Sequence, residues 1–118
     1  MPTFHHNRLI VYRKAIEFVA LAAGVVPTIE PLQGHLRDQL ARAATSIALN
    51  ISEGSAEFKA AEKARFYRMA RRSATECAAI LEVLEVVGYR DGGRLESGRG
   101  MLNEIIAMLT TMAKPKKA

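Results

Sequence analysis

Residue types that often build functional sites are scarce in this chain. It contains one cysteine, Cys77, and three histidines, His5, His6 and His35. One thiol forms no internal disulfide and builds no cysteine-based metal site, so we interpret Cys77 as a small core residue rather than a catalytic thiol. His5 and His6 are adjacent near the N-terminus, where a loose chain end is a simpler interpretation than weak metal chelation. We therefore expect no metal and no other cofactor.

Long apolar runs are also missing. The longest one covers residues 18–27 and is far too short to cross a bilayer. The N-terminal sequence MPTFHHNR has no apolar stretch before its charges, and no secretory signal is visible. We therefore expect a cytoplasmic protein with no membrane partner.

The familiar catalytic motifs are absent as well. The sequence has no glycine-rich phosphate loop with a lysine, no dinucleotide fingerprint and no His-Glu-x-x-His motif. It also lacks the Glu-x-x-His pairs of ferritin-like bundles and the arginine–histidine spacing of bundle-type ribonucleases. Ser46 and Ser73 have no histidine at a sequence position that suggests a nucleophile pair. The sequence therefore predicts a protein that is not an enzyme and has no catalytic residues.

What is present is a helical pattern. The 118 residues are 49% hydrophobic and 25% charged, which is typical of one globular domain with its own core. Apolar residues recur at steps of three and four in four segments, and no strand pattern is visible. We predict an all-α, up-down-up-down antiparallel four-helix bundle. Its helices are expected from Arg8 to about residue 26 and over residues 35–54, 57–87 and 91–112, with loose ends at 1–7 and 114–118.

Glycines and prolines decide the predicted helix ends. Pro27 ends the first helix, Gly54 is expected to cap the second and Gly88 to stop the third. The segment between residues 28 and 34 is predicted to be a connection holding at most one turn. Asp91 is a candidate cap for the fourth helix, but the glycines after it predict a frayed first half.

The first and third helices differ in how much apolar surface they carry. The first is apolar around most of its circumference, so it is either central or packed on another subunit as well. The third has a single apolar face, opposite its arginines. We expect that face to hold Phe66, Met69, Ala70, Ser73, Cys77, Ile80, Leu81, Leu84 and Val87.

Polar residues form a second stripe beside the core stripe of the second helix. Its members are Gln39, Arg42, Ser46, Asn50 and Glu53, and Glu76 is placed at the edge of the core face of the third helix. Two interpretations are open. The stripe is either a solvated helix edge or a partly buried polar seam that fixes the register of a neighbouring helix or subunit.

Positive charge is concentrated in one short segment. The chain has a net charge of +5, and residues 59–72 contain six basic residues against one acid, which accounts for all of it. The segment offers phosphate-binding side chains in Arg65, Arg68, Arg71 and Arg72. Tyr67 lies among them and could stack on an unpaired base. A solvated face explains the same charges. Composition alone leaves RNA or DNA binding and a solvated face equally open.

The residues in order resemble a known family. The segments that carry the resemblance are L-x-VY-x-x-A-x-x-F at residues 9–18, Pro27 with Glu30, QL-x-RAA-x-SI-x-x-NISEG at residues 39–54, Arg65-Phe66, Ala70, Ser73, Glu76, Gly88-Tyr89 and Met101-Leu102-Asn103. Together they resemble the bacterial four-helix-bundle proteins encoded in intervening sequences of 23S rRNA genes. The resemblance implies a small cytosolic bundle that assembles as a ring-like homo-oligomer, a pentamer.

The same resemblance bears on function. The accessory protein of diversity-generating retroelements is a similar basic pentameric bundle that works with a reverse transcriptase and nucleic acid. By this analogy of fold, nucleic-acid binding is favoured over a merely solvated face. The alternative is an oligomeric scaffold that binds another protein and has no nucleic-acid role.

The resemblance also suggests a role for the polar stripe. Arg42, Ser46, Asn50 and Glu53 are then expected to bond to the third helix, for example to Glu76, or across a subunit boundary. If Arg42 and Glu76 form a truly buried pair, truncating Arg42 costs about 3–5 kcal/mol.

Overall fold

The computed structural model describes residues 3–114 of the protein, with side chains described from residue 7 onward. The helices are α1 (Thr3–Val25), α2 (Gly34–Ala56), α3 (Ala60–Val86) and α4 (Gly92–Met112). Two short 3₁₀ turns, Val26–Thr28 and Pro31–Gln33, lie in the connection between α1 and α2. Residues 3–114 contain no strand, which confirms the all-α prediction.

Side-chain contacts show the direction of α1 relative to α4. Lys14 forms an ion pair of 3.2 Å with Glu104. Near the other end of α1, Arg94 donates a hydrogen bond of 2.9 Å to the carbonyl oxygen of Gly24. Later residues of α1 therefore contact earlier residues of α4, so the two helices are antiparallel.

The helix α3 is antiparallel to both of its neighbours. The contacts that show this are Arg71–Thr110 and Arg99–Glu85 toward α4, and Ser46–Ser73 and Gly54–Tyr67 toward α2. Each helix packs on two others, and α1 and α3 lie across the diagonal of the bundle. These directions give the predicted up-down-up-down bundle, about 50 Å long and 20 to 22 Å wide. None of its described helices combines the length and hydrophobicity needed to cross a membrane.

One apolar core runs the length of the bundle. Cys77 is fully buried in it, as predicted. From α1 the core takes Val11, Ala15, Phe18, Ala22 and Val25. A second apolar stripe on α1, formed by Leu9, Tyr12 and Ile16, stays exposed on the chain. The apolar circumference of α1 is therefore only half used within one subunit.

The N-terminal boundary differs from the prediction. We expected residues 1–7 to be loose, but α1 already begins at Thr3. No glycine or proline stands between Thr3 and Arg8, so the helix extends backward at one hydrogen bond per residue once its apolar part has formed. Residues 1–2 and 115–118 lie outside the described residues, and with them most of the predicted loose C-terminal end, including Lys116 and Lys117.

The role of Gly54 also differs from the prediction. It does not cap α2, because the helix continues to Ala56. Gly54 is buried, and a Cβ atom added to it would lie 2.8 Å from Cε1 of Tyr67. The glycine is therefore required by the close approach of α3. The side chain of Lys63 supplies the cap instead, since its Nζ donates to the carbonyl oxygens of Gly54 and Ser55 at 3.3 and 3.2 Å.

The expected fraying of α4 is wrong for a related reason. Asp91 caps the helix by accepting a hydrogen bond of 3.0 Å from the backbone N–H of Arg94. Gly98 is buried, and a Cβ there would lie 3.0 and 3.1 Å from side-chain atoms of Leu81 and Leu21. The packing that this glycine permits offsets its low helix propensity. Gly88 ends α3 as predicted, with a φ of +91°.

Candidate nucleic-acid interface

The four candidate arginines share one outer surface of α3. Arg65, Arg68 and Arg72 follow each other at steps of three and four, and Arg71 lies beside them toward α4. We call Arg65, Arg68, Arg71 and Arg72 the arginine face. They line one shallow open groove together with Met69, Thr75 and Glu76. The helix thus brings together the four arginines that the sequence singled out.

Two of these arginines already have partners. The Nη2 atom of Arg65 lies 3.1 Å from Oε1 of Glu62, and its guanidinium carbon lies 4.5 Å from the centre of the Phe66 ring. Arg71 Nη1 is 3.5 Å from Oγ1 of Thr110 on α4. Some of the guanidinium N–H donors of Arg65 and Arg71 are therefore already bonded to groups of the same chain.

The other two are available. Arg68 and Arg72 are exposed, and within residues 3–114 neither makes a side-chain hydrogen bond or ion pair. A guanidinium in this state presents its donors to solvent and can bind a phosphate with two parallel hydrogen bonds. Arg68 and Arg72 are accordingly the two residues of the arginine face whose donors are not already used within the described chain.

The structure contradicts the predicted role of Tyr67. Its side chain is 0% exposed and packs against Gly54, so its ring cannot stack on a base. Burial raises the pKa of Tyr67, and the positive charge of Arg8 opposes part of that rise. The core face of α3 therefore differs from the predicted one. Tyr67 is buried although it was expected on the surface. Of the residues expected in the core, Met69 and Val87 are exposed and Phe66 and Ser73 are only partly buried.

An aromatic residue that the sequence analysis missed lies nearby. Phe58 belongs to the link between α2 and α3 and is 99% exposed. The available signal was an aromatic residue in a short link with Glu57 and Lys59 on either side. Such a residue has no helix face through which to reach the core.

The topology extends the positive charge beyond α3. The antiparallel order brings the start of α1 and the end of α4 to the same end of the bundle as the start of α3. The half formed by residues 3–14, 45–73 and 103–114 holds ten basic and four acidic residues. The other half, residues 15–44 and 74–102, holds five basic and eight acidic ones. The described bundle is therefore positive at one end and negative at the other, which orients an approaching polyanion.

Only part of the predicted polar stripe forms a partly buried seam, which consists of Ser46 and Asn50 together with Ser73 of α3. Ser73 Oγ donates to Ser46 Oγ at 2.9 Å, and Asn50 Nδ2 donates to Oγ and the carbonyl oxygen of Ser46 at 3.0 Å each. All three residues are partly buried between α2 and α3. Within this cluster the Ser73–Ser46 hydrogen bond joins α3 to α2, and Asn50 supports it from within α2.

The outer members of the stripe do not join it. Gln39, Arg42, Glu53 and Glu76 are all exposed, and Arg42 and Glu76 form no ion pair within the described chain. The structure therefore contradicts a buried Arg42–Glu76 pair within one chain, whereas bonds of this stripe across a subunit boundary stay a prediction. Both side chains are long enough to reach water beyond the helix edge, where pairing gains little.

Two described side chains with catalytic potential, Cys77 and His35, are respectively buried and distant from Ser46. Burial, with a smaller contribution from the charge of Glu76, raises the pKa of Cys77 to about 12, so its thiol is protonated at neutral pH. His35 lies at the start of α2, about 16 Å along the helix from Ser46. Among the described residues no group of three His, Cys, Asp or Glu side chains is arranged to hold a metal ion.

Comparison with known proteins gives a family and a structural neighbour. The family model for 23S rRNA-intervening sequence proteins matches residues 7–111. A crystal structure of a protein of unknown function from the S23 ribosomal protein family of Bacteroides thetaiotaomicron superposes with a TM-score of 0.81. It is 25% identical, and the match covers 89% of this chain and 99% of that one. No curated protein sequence matches.

Proposed function

Because the chain belongs to the family of 23S rRNA-intervening sequence proteins, we propose that it is a non-catalytic cytoplasmic protein that binds RNA or other nucleic acid through the arginine face. The observation that carries the proposal is the state of Arg68 and Arg72. Both are exposed and unpaired within the described residues, and they lie on the positive half of the bundle. Phosphates are the ligand that suits such guanidinium groups, and each contact adds affinity by releasing counterions.

The arginine face is suited to backbone binding rather than to base reading. Its side chains lie along one helix on the outside of a bundle, with no cleft to enclose a base. Arginines that contact phosphates position a nucleic acid and carry no sequence information. We therefore propose binding that depends strongly on salt and weakly on sequence.

We further propose that the protein is a homo-oligomer, a pentamer on the strength of the family resemblance. The exposed stripe of Leu9, Tyr12 and Ile16 on α1 supports self-association, since three large apolar side chains on one helix face are each 40 to 48% exposed. This stripe lies across the bundle from α3. Assembly through α1 would leave the arginine face of every copy free, and several linked faces bind one polyanion more tightly than one face does.

The competing function is an oligomeric scaffold for another protein. The same exposed stripe on α1 favours it, because an apolar surface can receive a partner helix as well as a second copy. In that case the arginines of α3 are a solvated surface.

Purification separates the two functions. We expect the protein prepared at low salt to carry nucleic acid, seen as raised absorbance at 260 nm that a high-salt wash removes. The matched preparation of an Arg68→Ala/Arg72→Ala variant should carry less. A wild-type protein that is free of nucleic acid at low salt and also fails to bind added RNA or duplex DNA would contradict the proposal and favour the scaffold.

A further inference from the structure

The exposure of Phe58 has no explanation within the subunit. It is 99% exposed, and the residues on either side, Glu57 and Lys59, have extended backbone with φ/ψ of −81°/146° and −82°/133°. An extended link holds the residue away from the helices that it joins, so the ring has no core to enter. Leu32 is almost as exposed, at 91%, but lies in the connection at the opposite end of the bundle.

The surroundings of Phe58 distinguish it from Leu32. Lys59 is its direct neighbour and is also exposed, and Arg65 and Arg68 follow within three turns of α3. An aromatic ring beside a row of cations is the arrangement that binds single-stranded nucleic acid, where bases stack on rings and phosphates contact the cations. A second copy of this positively charged end is a poor partner for the ring, because like charges would be brought together.

We propose that Phe58 is a stacking platform for an unpaired base and gives the protein a preference for single-stranded over double-stranded nucleic acid. This inference rests on the function proposed above, because the arginine face holds the backbone of the same strand. The ring takes the role that the sequence analysis had assigned to the buried Tyr67.

The distances along α3 fit a short strand. Residues 60–72 of α3 span about 18 Å at 1.5 Å per residue. A strand whose bases are spaced by about 3.4 Å covers that length with roughly five nucleotides. One base at the Phe58 end and phosphates at Arg68 and Arg72 can therefore be contacted together by one segment.

The absence of tryptophan from the sequence allows a direct test. A Phe58→Trp variant of the full chain carries a single tryptophan as a reporter. Adding a single-stranded RNA of twelve mixed nucleotides should quench its fluorescence, whereas the duplex of the same sequence should quench it much less. In wild-type background, Phe58→Ala should weaken single-strand binding by about 5- to 150-fold, as loss of one stacked base does, and duplex binding by less than 2-fold. Leu32→Ala is the matched control and should change neither.

The outcomes separate the two proposals. If Phe58→Ala weakens single-strand and duplex binding equally or not at all, while Arg68→Ala/Arg72→Ala weakens both, the stacking role is wrong and the arginine face stands. If no nucleic acid binds at all, both proposals are wrong. A blue-shifted tryptophan emission that grows with protein concentration, without nucleic acid, would place residue 58 in a contact between copies and overturn the stacking role.

Discussion

Gly54 of α2 packs directly against Tyr67 of α3, since a Cβ atom on Gly54 would lie 2.8 Å from Cε1 and 3.1 Å from Cδ1 of the Tyr67 ring. The same added atom would lie 3.0 Å from Cβ of Phe66. A ring buried in the core and a Cβ on a helix cannot move aside cheaply. Tyr67 is fully buried at this contact, and the same rotation of α3 turns Arg68 and Arg72 outward.

Substitution of Gly54 by alanine should therefore destabilise the protein despite the better helix propensity of alanine. We expect the overpacking to lower the free energy of unfolding by about 1–3 kcal/mol. Gly100→Ala is the matched control, because Gly100 is also inside a helix but has nothing within 4 Å of an added Cβ. It should gain about 0.5–1 kcal/mol. Urea unfolding measures both values, and a stabilised Gly54→Ala protein would contradict the packing described here.

The seam between α2 and α3 predicts a contrast between two neighbouring positions. Ser46→Ala removes the acceptor used by Ser73 and Asn50 and should cost about 1–2 kcal/mol. Arg42→Ala, on the exposed side of the same stripe, should change stability by less than about 0.5 kcal/mol. Chemical denaturation of both variants is the measurement. If Arg42→Ala lowered the free energy of unfolding more than Ser46→Ala does, this prediction would be wrong and a buried ion pair of Arg42 would be indicated.

The fold could be predicted from the sequence because periodic apolar residues and the glycines and prolines between segments are local signals. Two of the wrong predictions, at Gly54 and Gly98, have non-local causes. Gly54 has the sequence signature of a helix cap, and only the approach of Tyr67 from another helix gives it a different role. In the sequence Gly98 only lowers the helix propensity of α4, and its role becomes visible when Leu21 and Leu81 pack against it.

The candidate site was predicted in part: its arginines were identified from the sequence, and its aromatic residue was not. The arginines of α3 are visible as a local charge cluster, and the structure places them on one surface. The sequence did not show which aromatic residue accompanies them. Tyr67 and Phe66 are adjacent, and a rotation of 100° between neighbours decides which is buried. The buried residues of α3 recur at steps of three and four through Ala64, Tyr67, Ala70 and Ala74, so the period was present in the sequence, but the apolar side chains of Phe66 and Met69 offered a competing face.

The buried thiol of Cys77 predicts a loss of stability at alkaline pH. In the unfolded chain the thiol ionises near pH 9.0, whereas in the fold its pKa is raised to about 12. The unfolded state therefore releases the proton first, so this contribution to stability is complete below pH 9 and is lost as pH rises toward 12. The loss is at most about 1.4 kcal/mol per pH unit.

A Cys77→Ala variant isolates this effect. Its free energy of unfolding should fall less steeply between pH 9 and 12 than that of the wild type, whatever its stability at pH 7. Urea titrations at four pH values are sufficient. Parallel pH profiles for the two proteins would show that Cys77 is not the group responsible.

The exposed stripe on α1 predicts where copies of the chain meet. Ile16→Glu places a charge in the middle of Leu9, Tyr12 and Ile16 and should convert the assembly to smaller species, because burying an unpaired carboxylate is costly. The helical content should remain, since Ile16 is 44% exposed on the single chain. Val86→Glu is the control, at an exposed β-branched residue on α3. Sedimentation velocity should show the wild-type mass for Val86→Glu only, and an unchanged mass for Ile16→Glu would exclude this stripe as the interface.

The most direct test of the central claim is the salt dependence of RNA binding by the wild type and the Arg68→Ala/Arg72→Ala variant. Arg42→Ala/Arg90→Ala is the control with the same net charge, since both of those arginines are exposed and lie outside both the arginine face and the stripe on α1. Because each phosphate contact to a single strand contributes about 0.7 to the slope of log K against log salt, loss of two contacts should flatten that slope by about 1.4. The control should keep the wild-type slope. Equal slopes for all three proteins, or no binding by the wild type at low salt, would contradict a nucleic-acid interface on α3.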